Sequence, residues 1–265
     1  MSRIQQITRL ILVFVAVMIS NTALATPQEL LANVHKMRLV SAEALTNFYM
    51  YTGLDADSKY GQKIQRNLSK FETLLATTRQ MPAADGISKD INEIALNWER
   101  FAELMRTNYN DMETQGFPNV RLVDEMGRLN ATLLKQLGAV YEAAKQSTGI
   151  TPSAVVEKAR GLAVTMEEIT TQYAARGTSN LGQVFVGSYE RSLEEMAVAF
   201  SQDFETLRAQ ASQPNSENLM RAINSKWNFM EKSIKNYNEN TVPFLVTSYS
   251  ERIIMNLEEL VAMYD

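Results

Sequence analysis

Apolar residues recur along most of this chain at alternating spacings of three and four, the pattern of amphipathic helices that pack against one another. The clearest stripe is Leu30, Val34, Met37, Ser41, Ala44, Phe48 and Tyr51. It follows Thr26-Pro27-Gln28-Glu29, a capping-box pattern that predicts a helix start. Seven further amphipathic segments follow, separated by short breaks, and none shows the period-two alternation of strands. The pattern predicts an all-α fold.

The predicted helices repeat in the two halves of the chain. Trp98 is followed by Asn108-Tyr109-Asn110 in the first half, and Trp227 is followed by Asn236-Tyr237-Asn238 in the second. Both Trp lie on apolar stripes, so we interpret them as core residues rather than binding residues. Because Asn is common at helix C-termini, the two Asn-Tyr-Asn segments are predicted to end their helices.

Each half contains four amphipathic segments joined by short loops, which favour antiparallel neighbours. We therefore predict two tandem antiparallel four-helix bundle modules, at residues 26–149 and 150–265. The second module is predicted to begin at the cap Thr151-Pro152. The modules are joined by a short connection at residues 147–151 or share one long continuous helix.

Residues 1–25 have the pattern of a secretory signal peptide. Arg3 and Arg9 supply positive charge, residues 10–19 are apolar, and Ala23-Leu24-Ala25 is a small-x-small cleavage pattern. The apolar stretch is much shorter than the roughly 20 residues that span a bilayer. We predict a cleaved signal and a soluble periplasmic chain, and the alternative is an uncleaved anchor.

The composition argues against several classes of function. The chain contains no Cys and a single His, so sites built on thiolate or imidazole ligands lack donors, and no cofactor or metal is expected. The sequence also lacks the turn motif of a nucleophilic serine. The net charge is −4, which disfavours nucleic acid as a partner. We therefore expect a protein that is not an enzyme.

Arg38 stands out among the charged residues. Only positions three and four away on a helix can pair with it, and these are Val34, His35, Ser41 and Ala42. None of them is acidic. An unpaired guanidinium beside an apolar seam costs free energy unless another helix, another chain or an anion meets it. The alternative to an anion is that Arg38 extends to water or pairs with a carboxylate from another helix.

The segment Arg38-Leu39-Val40-Ser41 resembles the Arg-Met-Leu-Ser motif on the first periplasmic helix of type IV pilus methyl-accepting chemotaxis transducers (PilJ-type) and, more distantly, of NarX-like nitrate sensors. The mature chain looks like this N-terminal sensor domain in tandem. In the nitrate sensors the domain is a four-helix bundle that dimerises, and the motif Arg of each subunit holds an anion at the dimer axis. The resemblance implies ligand-binding roles for Arg38 and Ser41 and a homodimer. We include the adjacent His35 in the candidate ligand site.

Two departures from the family qualify this assignment. The Gln-Arg pair after the motif Ser is here Ala42-Glu43, and the sequence stops at Asp265, where the transducers continue into transmembrane and signalling regions. We therefore expect a sensor-like protein that binds a small ligand, with an anion as the candidate that the motif suggests, and/or a membrane receptor or transducer. The alternative is a structural or adaptor protein of the cell envelope that binds no small ligand.

The second module is predicted to lack the anion site. Aligning Val155 with Leu30 places Ala163 opposite Arg38 and Arg160 opposite His35. Arg160 is predicted to pair with Glu157 within its own helix. One anion site per chain is expected.

Overall fold

The computed structural model describes residues 26–177, 191–237 and 241–265, so the predicted signal peptide lies outside the described residues. The described residues form eight α-helices and one 3-10 helix and contain no strand. The α-helices are α1 (Pro27–Gly53), α2 (Ser58–Arg79), α3 (Ser88–Gln115), α4 (Val120–Thr148), α5 (Ala154–Gly177), α6 (Leu193–Gln210), α7 (Ser216–Lys235) and α8 (Pro243–Tyr264), and the 3-10 helix is Pro82–Ile87. The all-α prediction is confirmed.

The cap predicted for the first helix is present. The hydroxyl of Thr26 accepts a hydrogen bond from the backbone N–H of Glu29 at 3.2 Å, and the Glu29 carboxylate accepts one from the Thr26 N–H at 2.7 Å. These bonds satisfy two of the donors that a helix N-terminus leaves unpaired. The chain therefore enters α1 directly after the predicted cleavage point.

A short break separates α4 from α5. Gly149 follows α4 with φ of 69°, a left-handed conformation that ends a helix and that glycine adopts without a Cβ penalty. The next helix begins at Ala154, and Ser153 Oγ accepts a hydrogen bond from the Val156 N–H at 3.3 Å. The two halves thus do not share a continuous helix, and α5 starts three residues later than the predicted cap.

Each half surrounds its own buried apolar cluster. In the first, Trp98 is 3% exposed and stacks on Phe71 with ring centroids 3.6 Å apart. In the second, Trp227 is 2% exposed and packs on Phe200 at 4.3 Å, and its Nε1–H donates to Ser201 Oγ at 2.9 Å. The prediction that both Trp lie in the core is confirmed.

The two halves have the same arrangement of neighbouring helices. In the first, α1 and α3 each pack against α2 and α4; in the second, α5 and α7 each pack against α6 and α8. We call α1–α4 the first helical set and α5–α8 the second. This repeated order fits the two predicted modules.

The two sets meet along their first helices, α1 and α5. Thr46 Oγ1 and Thr171 Oγ1 are hydrogen-bonded at 2.7 Å, and these residues are counterparts in the alignment of the two modules given above. Closer to the N-termini, burial lowers the pKa of His35, and the nearby charge of its counterpart Arg160 lowers it further. Equivalent positions of α1 and α5 thus face each other with the helices running in the same direction, as in a symmetric dimer of one module.

Candidate functional site

A cleft of about 430 Å³ lies where the two helical sets meet. Its walls come from α1, α4, α5 and the start of α6, and Arg191 lies at its edge. Its lining includes the apolar side chains of Leu45, Leu134 and Met196 and polar ones, among them those of Arg38 and Gln172. A concave site with a few polar groups among apolar walls is typical of small-molecule binding.

Arg38 reaches this cleft from α1. Its Nε is buried and has no hydrogen-bond partner among the described residues, and its guanidinium carbon lies 5.8 Å from the ring centroid of Tyr141. Burial lowers the pKa of Arg38, and the negative charge of Glu168 opposes that shift. Arg38 therefore carries its charge at a partly desolvated site, with an aromatic ring on one side and an open cleft on the other.

The charges that line the cleft are mainly positive. Arg38, Lys135 and Arg191 contribute cations, and Glu168 contributes a carboxylate. Low-dielectric walls strengthen the field of such groups on a bound molecule. The cleft thus favours a ligand with negative charge and retains one acidic side chain beside the cations.

Ser41 is fully buried on α1. Its hydroxyl donates to the carbonyl oxygen of Arg38 at 3.0 Å, and its own carbonyl accepts from the Asn130 side-chain amide at 2.9 Å. The hydroxyl is therefore used within α1, and the carbonyl ties α1 to α4 beside the cleft. A direct role of Ser41 in ligand binding remains a prediction.

His35 joins the two helical sets. Its Nε2 lies 2.8 Å from Glu258 Oε1 on α8, and its Nδ1 is buried with no partner in the described part of the chain. Burial lowers the pKa of His35, although the hydrogen bond to Glu258 raises it. A neutral imidazole that donates from Nε2 to the carboxylate fits this environment. The structure brings Arg38 to the cleft and His35 to a neighbouring interhelical contact.

Arg160 has different partners from the one predicted. Its Nη2 pairs with Asp265 Oδ2 at 2.7 Å, and its Nη1 donates to the Tyr141 hydroxyl at 3.1 Å. Glu157 instead accepts from the Tyr141 hydroxyl at 2.9 Å and from Lys145. The predicted pair within α5 is wrong because Tyr141 of α4 lies between the two side chains. Arg160 is a structural residue that ties α5 to α4 and to the C-terminus.

Two side chains of α8 make polar contacts with the first helical set. Glu251 pairs with Lys63 of α2, and Glu258 pairs with His35 of α1.

Small residues of α4 line the cleft, namely Gly127, Ala131 and Gly138. A Cβ built on Gly138 would meet no described atom within 4 Å. The small residues of α4 therefore leave room in the cleft beside that helix. These residues can be read from the sequence, but only the packing shows that they line the cleft.

Two further observations concern the described residues as a whole. None of their helices is both long and apolar enough to cross a bilayer. They contain no group of three or more His, Cys, Asp or Glu side chains arranged to hold a metal ion.

Comparison of the chain with protein-family models, with curated proteins and with solved structures found no match to any of them.

Proposed function

We propose that this chain binds one small anionic ligand in the cleft between the two helical sets, with Arg38 as the principal contact. The observation that carries the proposal is the state of Arg38, whose buried Nε lacks a described hydrogen-bond partner although the residue lines an open cleft. A planar guanidinium offers two parallel N–H groups to a carboxylate or oxyanion. Such a ligand would supply the acceptor that Arg38 lacks.

The packing of α1 on α5 supports a single site in each chain. In the resembling sensors an anion lies at the axis of a dimer, and here equivalent positions of α1 and α5 face each other within one chain. The counterpart of Arg38 is Ala163, which offers no charge to a second anion. The homodimer implied by the resemblance is then not needed to build the site.

We also propose that the protein acts in the periplasm and passes ligand occupancy to a membrane receptor or transducer. The signal-peptide pattern of residues 1–25 and the motif at Arg38 support this role. Binding would act on the receptor by changing how α1, α4 and α5 pack, because all three contribute to the cleft. Such coupling requires that the ligand bind one arrangement of the helices more tightly than another.

One observation favours the alternative, an adaptor without a small ligand. Glu168 lines the same cleft, and its charge acts on Arg38. In that case Arg38 would serve to hold α1 against α5, and its removal would destabilise the protein rather than abolish binding.

The proposal is tested by calorimetry and thermal shift on the purified chain. The panel contains nitrate, sulfate, phosphate, small carboxylates and the standard L-amino acids. A ligand that binds the folded state raises the melting temperature. We expect Arg38→Lys to weaken binding by about tenfold, because Lys keeps the charge but loses the fork geometry, and Arg38→Ala to abolish it.

Matched variants separate loss of the site from loss of the fold. The control for Arg38→Ala is Arg221→Ala, because Arg221 is exposed. Arg160→Ala would not serve, because Arg160 is buried and paired with Asp265. Gly138→Leu should fill the cleft and abolish binding, whereas Gly161→Leu, on an exposed part of α5 with equally open surroundings, should leave it unchanged. Unaltered affinity in Gly138→Leu, or unfolding of Arg38→Ala with no ligand found for the parent, would refute the proposed function.

A further inference from the structure

The cleft contains an unsatisfied acceptor in addition to the donor on Arg38. The side chain of Gln172 is fully buried, and its Nε2 donates to the carbonyl oxygen of Arg191 at 3.0 Å. A carbonyl oxygen only accepts, so this bond fixes which end of the amide is nitrogen. The other end, Oε1, is buried, and no described residue donates to it. Gln172 is one of the residues that line the cleft, so a donor group on a ligand there is the candidate partner of Oε1.

The surroundings of this acceptor favour a positively charged donor. Glu168 lies four residues before Gln172 on α5, and residues at that spacing share one face of a helix. Both residues line the cleft, so a carboxylate and an amide oxygen lie on the same wall. An ammonium group beside Oε1 would be attracted by the charge of this carboxylate, whereas a second anionic group would be repelled by it.

The remaining walls determine the rest of the ligand. Leu45, Leu134 and Met196 provide apolar surface, and the absence of a side chain at Gly138 leaves space beside it. Apolar surface of this kind favours an aliphatic or thioether group over a charged one. The cleft thus combines a cation, an acceptor beside a carboxylate, and an apolar wall.

We propose that the ligand is an amino-acid zwitterion with an apolar side chain, whose carboxylate lies on Arg38 and whose ammonium group donates to Oε1 of Gln172. The side chain of the amino acid lies against Leu45, Leu134 and Met196. This inference rests on the proposed function, because it assigns the chemistry of the same site.

The test compares amino acids with analogues that lack one charged group. L-Leucine, L-methionine and L-phenylalanine are titrated into the purified chain by calorimetry, alongside 4-methylpentanoate, which lacks the amino group of leucine, and 3-methylbutylamine, which lacks its carboxylate. We expect at least one of the amino acids to bind. For leucine, we expect either analogue to bind more weakly by about tenfold or more, because each leaves a buried group of the cleft unpaired.

A variant locates the ammonium group. Gln172→Leu removes the acceptor while keeping a side chain of similar size, so it should weaken amino-acid binding by about tenfold and leave binding of 4-methylpentanoate unchanged. Gln210→Leu, on an exposed part of α6, is the control and should change neither. The comparison of the analogues needs no variant, so it decides the matter even if Gln172→Leu fails to fold.

The outcomes distinguish this inference from the proposed function. Equal binding of leucine and 4-methylpentanoate, or binding of an inorganic anion alone with dependence on Arg38, would overturn the zwitterion assignment and leave the anion site standing. Binding of the amine alone would overturn both. If no amino acid, carboxylate or inorganic anion binds, both proposals fail.

Discussion

Replacing each Trp by Phe should have unequal effects on the two helical sets, although the two residues hold equivalent core positions. Trp227 Nε1–H donates to Ser201, so Trp227→Phe loses a buried hydrogen bond worth about 1 kcal/mol. Trp98 Nε1 is buried with no partner among the described residues, so Trp98→Phe removes an unsatisfied donor that costs about 1–3 kcal/mol. The loss of the five-membered ring is common to both and cancels. We expect Trp227→Phe to be less stable than Trp98→Phe by about 2–4 kcal/mol.

Urea denaturation measures this difference directly. The sequence contains two Trp residues, so each variant keeps one indole as the fluorescent reporter of the other helical set, while far-ultraviolet circular dichroism reports on the whole chain. With a slope of about 2–3 kcal/mol per M of urea, the midpoints should differ by about 1 M. Trp98→Ala and Trp227→Ala should each cost about 3–5 kcal/mol, since each leaves a cavity in a core. Equal midpoints for the two Phe variants, or the reverse order, would refute the role assigned to the two indole N–H groups.

Three other expectations follow from the packing and the sequence. Because burial lowers the pKa of His35 in the folded state, the unfolded state takes up a proton at a higher pH, and the free energy of unfolding should fall as the pH drops below the ordinary value of 6.5. His35→Gln should make the free energy of unfolding less dependent on pH in urea melts between pH 7 and 5, and an unchanged pH dependence would contradict this expectation. Gly138→Ala should raise stability by about 1 kcal/mol because its Cβ meets open space. Gly177→Ala should lower the melting temperature because its Cβ would lie 2.6 Å from a proline ring. A less stable Gly138→Ala or a more stable Gly177→Ala would contradict the packing described at these sites. Mass spectrometry of the periplasmic fraction should find a mature chain that begins at Thr26, and an intact chain held in the inner membrane would exclude cleavage there.

The sequence predicts the helices well and some of their ends poorly. The apolar stripes are local, so they locate each helix without knowledge of its partners. Asn108-Tyr109-Asn110 was predicted to end α3, but α3 continues to Gln115 and ends at Gly116 with φ of 80°. Asn108 is buried and its amide donates to the Leu104 carbonyl, and Tyr109 stacks on Tyr51 at 4.9 Å, so tertiary packing sustains the helix. In the second half, Asn236 does follow the last residue of α7, as predicted.

The candidate site was predictable only in part. Arg38 is conspicuous in the sequence because no acidic residue lies within reach on its own helix. Its surroundings come from distant parts of the chain, including Tyr141 and Glu168, and no local pattern brings these together. Gln172 gave no signal in the sequence, since a glutamine on a helix is ordinarily solvated and only its burial makes Oε1 conspicuous.

The hydrogen bond between Thr46 and Thr171 joins a position to its own counterpart in the repeat. Between two identical polypeptides, every substitution at such an axis arises twice, and both grooves beside the axis must change together. Covalent linkage of the two helical sets removes that constraint. Position 38 is an arginine, and its counterpart at position 163 in the alignment is an alanine. A change on one side of the contact between α1 and α5 therefore need not be repeated on the other.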